Sequence, residues 1–143
     1  MNRRAAIAMS EAEVTAFLEE QRTLTLATIG RDGWPHVMPL WYVVRDGECW
    51  AWTYAKSQKV RNLERDARCT LQLEAGASYR ELRGLMIKCA AAIHRDPEAV
   101  AAVGTELAER HGGGGSVSPA QASKRVALQF VVKEIASFDH RKQ

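Results

Sequence analysis

A chain of 143 residues has room for one hydrophobic core, not two. Apolar residues at 46% and charged residues at 26% are an ordinary globular balance, and a net charge of +3 is too mild to argue for a nucleic-acid partner. No apolar run approaches the ~18–20 residues that span a bilayer, so a membrane partner is not expected either.

The first pattern is helical. Ser10 with Glu13 reads as a capping box, and Val14, Phe17 and Leu18 form an apolar stripe, predicting a helix over 10–21. The period then changes. TLTLATIG alternates threonine with aliphatic residues as a strand does, and Gly30 to Gly33 supplies a turn. A second strand is predicted from Pro35 to Val44, interrupted by Pro39, which argues for an edge or a bulge because proline cannot donate to a ladder. After the turn at Arg45–Gly47, CWAWTY makes a third strand, with Trp50, Trp52 and Tyr54 on one face and Cys49, Ala51 and Thr53 on the other.

A helix follows over 57–66, with Val60 and Leu63 at helical spacing. CTLQLEAG and LRGLMIKCAAAI resume strands, the second continuing to about His94. Asp96-Pro97-Glu98 is a strong helix start, combining a cap, a proline in the first turn and an acid near the positive dipole end. That helix runs to about His111, where Gly112–Gly115 breaks it and opens a flexible glycine-rich surface loop over 112–122. Val126, Leu128, Phe130 and Val132 alternate in a last strand. Six strands joined by hairpins in so short a chain predict a mainly β, antiparallel six-stranded barrel with flanking helices, in a single domain.

The cysteines, Cys49, Cys69 and Cys89, form no CxxC pair and have no histidine at ligand spacing, so they read as buried reduced thiols with no metal site. Arg3 and Arg4 precede only AAIAM before polar residues begin, which does not make a signal peptide, so a cytoplasmic location is expected.

The most informative segment is KSQKVRNLERDAR. Lys56, Ser57 and Lys59 fall where a strand ends and a helix begins, and unpaired N–H groups and the helix dipole favour an anion there. A hydroxyl and two ammonium groups at that point form a phosphate seat. The same residues also suit a solvated basic helix capped by Ser57. A molecule held there by its phosphate would lie along Trp52–Tyr54 and Met38–Leu40, where Pro39 leaves backbone free to meet a ring. Trp41, Trp50 and Trp52 equally suit core or interface packing.

The stretch GRDGWPHVMPLWYVVRDGECWAWTYAKSQKVRNLERDARCTLQL resembles the N-terminal core of pyridoxamine 5′-phosphate oxidase-like, flavin/deazaflavin-dependent split-barrel proteins of actinobacterial type. The shared pattern is Gly33, Pro35 and Pro39, a hairpin, an aromatic strand, Lys59, and then Arg61-Asn62-Leu63. The likeness continues through YRELRGLMIKCAAAI and more loosely to SFDHRK. It implies an FMN-binding type of split barrel, a homodimer with cofactor grooves between subunits, and FMN or coenzyme F-420 (an 8-hydroxy-5-deazaflavin with an acidic tail) as cofactor. By position it implies that Lys56, Ser57 and Lys59 hold the phosphate, with Met38, Pro39 and Leu40 beside the ring and Trp52 and Thr53 on the adjacent strand. Two positions depart from the pattern: Cys89 stands where relatives often have glycine, and Ser57 where some have arginine.

An acidic tail needs further cations, for which Arg61, Arg65, Arg80, Arg83 and Lys88 are available. No Ser/His/Asp set, carboxylate pair or Walker-type loop is present, and His36, His94, His111 and His140 have no distinguishing spacing. No catalytic side chain is therefore assigned, which is compatible with chemistry carried by a cofactor. The expected function is an oxidoreductase moving a hydride between reduced deazaflavin or FMN and a small organic substrate; Tyr79 suits an approach to that substrate over the ring and suits packing at least as well. A non-catalytic carrier or sensor of flavin, haem or tetrapyrrole is the alternative. Pyridoxamine 5′-phosphate oxidase activity ranks third, since it needs a second phosphate seat and no good second cluster is visible in the sequence.

Overall fold

The run from Pro35 to Val44 does not form one strand. In the computed structural model, which describes residues 2–143, it divides at Tyr42, so the fold has seven strands where six were expected. In chain order the elements are α1 (Arg3–Ile7), α2 (Glu11–Glu20), β1 (Thr23–Ile29), β2 (Pro35–Trp41), β3 (Val43–Arg45), β4 (Glu48–Tyr54), α3 (Gln58–Arg65), β5 (Arg68–Ala75), β6 (Arg83–His94), α4 (Pro97–Arg110) and β7 (Arg125–Asp139). Among the described residues no helix is long and apolar enough to cross a membrane.

All seven strands belong to one antiparallel sheet in the order β2-β1-β5-β6-β7-β4-β3. β2 and β3 are its two edges, yet only Tyr42 separates them in the chain. One intervening residue spans at most ~7 Å between its neighbours, so the edges must meet and the sheet must curl round. No ladder joins β2 to β3 or β4 among the described residues, so the barrel is closed by the chain but split between those strands. Tyr42 is fully buried at the crossing, where its hydroxyl donates to the Leu18 carbonyl at 2.6 Å.

The alternation read in the strands gives the core directly. Leu24 and Leu26, Leu71 and Leu73, Leu85 and Ile87, and Val126, Leu128 and Phe130 all point inward. Cys49, Cys69 and Cys89 are buried free thiols among them, and burial pushes each up to about 12. β1 and β4 run parallel, four antiparallel steps apart. The helix before β1 and the helix after β4 therefore lie at opposite ends of the barrel. α2 carries the expected capping box, with Ser10 Oγ accepting from Glu13 N at 3.1 Å and Glu13 Oε1 from Ser10 N at 2.9 Å, and it inserts Phe17 and Leu18. α3 inserts Val60 and Leu63.

α4 begins at the expected cap, Asp96 accepting from Ala99 N at 3.0 Å, and packs outside the barrel. Its Val100, Val103 and Leu107 meet Val43 and Ala127. The connection from α4 to β7 is tied down part-way: Ala122 is buried against this cluster, and Val117 N donates to Thr105 Oγ1 at 2.9 Å.

Candidate cofactor groove

At the end of β4 the chain turns tightly, Ser57 N donating to the Tyr54 carbonyl at 3.0 Å, and α3 begins. Ser57 occupies the N-cap position in extended backbone, but its hydroxyl makes no capping bond. Ser10 and Asp96, at the same position of α2 and α4, do cap. The Ser57 Oγ is instead buried without any hydrogen-bond partner. The helix's own first bond is from Arg61 N to the Ser57 carbonyl, at 3.2 Å, so the N–H groups before it have no intrahelical acceptor. A buried hydroxyl left unpaired costs about 1–3 kcal/mol. A phosphate oxygen, accepting from that hydroxyl and from the helix N–H groups, is the chemistry this arrangement lacks.

The charges agree. Lys59 is half-buried, and its ammonium is held below the ordinary lysine value, first by burial and then by the positive charge of Arg125. The Arg125 guanidinium lies 4.6 Å from the Trp52 ring centroid and 3.8 Å from that of Tyr54. Among the described residues neither Lys56, Lys59 nor Arg125 forms an ion pair with a carboxylate. Cations gathered without a counter-charge are unfavourable alone and favourable around a bound anion.

At the split lies a groove of about 320 Å³, lined by Thr23, Pro39, Leu40, Trp41 and Trp52, and Trp52 is the wall that Arg125 touches. Residues from β2 and β4, at far positions of the sheet order, share it because the barrel curls round. β2 has no ladder partner on its split side, and Pro39 has no N–H to offer there. The back of the Trp52 ring rests on α4 at Gly104, where a Cβ would fall 2.5 Å from it. Trp41 is 58% exposed and stacks on His111 with ring centroids 4.3 Å apart and planes within 2°.

The structure thus brings Pro39, Leu40 and Trp52 into one groove, and Lys56, Ser57 and Lys59 to one helix start. Met38 is exposed on β2 beside the groove, whereas Thr53 turns into the buried face opposite Val126. Arg125 links the two parts, touching Trp52 while facing Lys59. It escaped the sequence reading, as did the Trp41–His111 stack, because each depends on residues about 70 apart in the chain. The five further cations do not share a surface. Arg83 pairs with Glu20 at 2.9 Å and Lys88 with Glu134 at 3.1 Å, Arg80 lies in a recess with His140 and Arg141, and only Arg61 and Arg65 line one recess together.

Comparison with known proteins agrees with this architecture. The pyridoxamine 5′-phosphate oxidase family profile matches residues 10–139. A conserved hypothetical protein from Mycobacterium tuberculosis is 45% identical, with a TM-score of 0.90 over 99% of this chain and 92% of its own. An F-420 reductase superposes with a TM-score of 0.71 at 23% identity, covering 90% of this chain and 94% of its own. The haem storage protein HutZ from Vibrio cholerae superposes with a TM-score of 0.70 at 21% identity, covering 90% and 93%. At these last identities the likeness is one of fold. No curated protein matches the sequence. With its split barrel, its order of motifs and a family match over most of its length, the chain belongs to the pyridoxamine 5′-phosphate oxidase-like split-barrel family.

Proposed function

We propose that the protein is an oxidoreductase that binds a phosphorylated flavin or deazaflavin in the groove between β2 and β4 and moves a hydride to or from a small organic substrate. The observation that carries this reading is the buried, unpartnered Ser57 hydroxyl at a helix start that also bears the uncompensated Lys59, with Arg125 reaching from Lys59 to the Trp52 wall of the groove. Ser57, Lys59 and the first N–H groups of α3 hold the phosphate, with Lys56 and Arg125 beside them. Pro39, Leu40 and Trp52 take the planar ring, and Met38 and the backbone around Thr53 border it. A flavin or deazaflavin supplies the hydride chemistry, and the protein binds, orients and shields it.

The groove lining supports a cofactor-borne reaction, since it holds aliphatic and aromatic side chains and one threonine but no acid or base. The family match and the F-420 reductase neighbour support the same class. The cations at this end of the barrel suit the phosphate of FMN and of coenzyme F-420 alike. Exposed Val37 and Met86 on the outer sheet surface support the homodimer that the family resemblance implies.

Titration of the purified protein with FMN and separately with coenzyme F-420, read by absorbance and fluorescence, tests the proposal. Saturable binding of one, followed by turnover of an acceptor by its reduced form, is the expected result. Binding of neither removes the oxidoreductase reading and leaves the haem or tetrapyrrole carrier as the successor.

A further inference from the structure

We propose that the recess between the β1–β2 turn and α3 is a second anion site, built for a small molecule carrying two or more phosphate or carboxylate groups. It has a volume of about 580 Å³. α3 contributes Gln58, Arg61, Asn62 and Arg65 to its wall, an i, i+3, i+4, i+7 series that lies on one flank of the helix. Lys59 is about 100° further round and does not line the recess, so this site is separate from the seat described above.

Charge is the first argument. Arg31, Arg61 and Arg65 converge on the recess, and none of them pairs with a carboxylate among the described residues. Asp32 is the single acid in the lining, and its Oδ1 is engaged by Trp34 N at 3.0 Å. Three guanidiniums gathered round one occupied carboxylate leave a local excess that a multiply charged anion would balance. Arginine is the side chain suited to this, because its planar fork meets carboxylate or phosphate oxygens two at a time.

Preorganisation is the second. Asn62 is fully buried, donating to Thr28 Oγ1 at 3.0 Å and accepting from Gln58 Nε2 at 2.8 Å. Arg65 is held by the Ile29 carbonyl at 2.6 Å and by Asn62 Oδ1 at 3.3 Å. Its guanidinium is therefore fixed before any ligand arrives. The turn is held close by Gly30, where a Cβ would fall 2.5 Å from the Trp34 carbonyl. The third is an unmet bond: His36 Nδ1 is buried with no partner, and the residue lines the recess. Trp34 stands 75% exposed at the rim, where it can report on an occupant.

This site does not require that a flavin occupy the groove. The test is calorimetric titration of the full chain with inorganic tripolyphosphate and, in a second arm, with citrate, each at low and physiological ionic strength. Saturable binding is expected, weaker at higher salt, and a preference between the anions distinguishes phosphate from carboxylate as the natural group. Arg61→Gln, at an exposed residue without side-chain bonds, and Arg65→Gln should each weaken it about tenfold or more. Lys59→Ala should leave it within about twofold, because that residue serves the other seat. A tryptophan fluorescence change on binding should vanish in Trp34→Phe. Absence of saturable binding by both anions overturns the proposal. So does binding that Lys59→Ala abolishes while the two arginine variants leave it unchanged.

Discussion

Ser57 and Lys59 show how a single residue separates a structural reading from a functional one. A serine before a helix is ordinarily a cap, but here the hydroxyl declines that role and is buried unpaired. Removing it with Ser57→Ala should therefore leave stability unchanged or slightly raised while weakening cofactor binding, a separation that paired melting and titration experiments would detect. Lys59→Ala should cost about 1.5–3 kcal/mol of cofactor affinity, the loss of one charge-assisted bond, with the fold retained. Unchanged affinity at matched ionic strength would remove Lys59 from the seat. Because burial and Arg125 lower the Lys59 pKa, phosphate affinity should begin to fall at a pH below the usual lysine range. His111 shows the converse, a titration expressed in stability. Burial, as the largest cause, holds its imidazole below 6.5, so the unfolded chain takes up the proton first as pH falls. Its contribution to stability is complete above 6.5 and declines as pH drops toward the lowered value. Melting temperatures measured from about pH 8 to about pH 5 should show that decline, and His111→Gln should remove this part of it.

At the scale of elements, the groove depends on how closely α4 approaches β4. Gly104 allows the approach, since a Cβ there would stand 2.5 Å from the Trp52 ring and that ring would have to move. Gly104→Val should destabilise the protein by about 1–3 kcal/mol through overpacking, despite the better helix propensity of a non-glycine residue. It should also shift Trp52 in the groove, so cofactor affinity should fall together with melting temperature. A variant that melts normally and binds normally would mean that α4 is free to move outward at no cost. Arg110 secures the other end of this helix, donating to the Leu18, Glu19 and Gln21 carbonyls at 2.8, 3.0 and 2.6 Å. One guanidinium thereby ties the last turn of α4 to the exposed carbonyl end of α2, satisfying acceptors that the helix leaves open.

For the whole molecule, the deciding feature is the one-residue crossing at Tyr42 that makes the two edges of a seven-stranded sheet meet. The apolar outer surface follows from the same curling, because both faces of a barrel strand carry side chains and only one can fill the interior. Met86 and Val37, 40% and 53% exposed, lie on this outer face, Met86 opposite Gln72 and Val37 opposite Ala27. Equilibrium sedimentation should give about twice 15.9 kDa. Met86→Lys with Val37→Glu should shift the protein toward monomer and weaken cofactor binding in parallel. A monomeric wild type that binds cofactor fully would remove the dimer from the proposal.

Much of this molecule could be read along the chain, because the forces concerned act over short sequence distances. Alternation identified the core faces of β1, β5 and β7, and the local bonding of Ser10 and Asp96 placed the helix starts. The Lys56–Lys59 turn was visible for the same reason, as a strand end and a helix start are contiguous. What the sequence left open are the contacts that exist only once the sheet has curled. The break at Tyr42 is invisible in the stretch from Trp41 to Val44, whose residues all favour strand, since a barrel's closure, not propensity, imposes it. Arg125 reaches Trp52 and Lys59 only because β7 pairs with β4, and Arg31 reaches Arg61 and Arg65 only because α3 folds back over the β1–β2 turn. Local chemistry wrote the elements and one end of the site, and long-range closure of the barrel decided which side chains face one another across it.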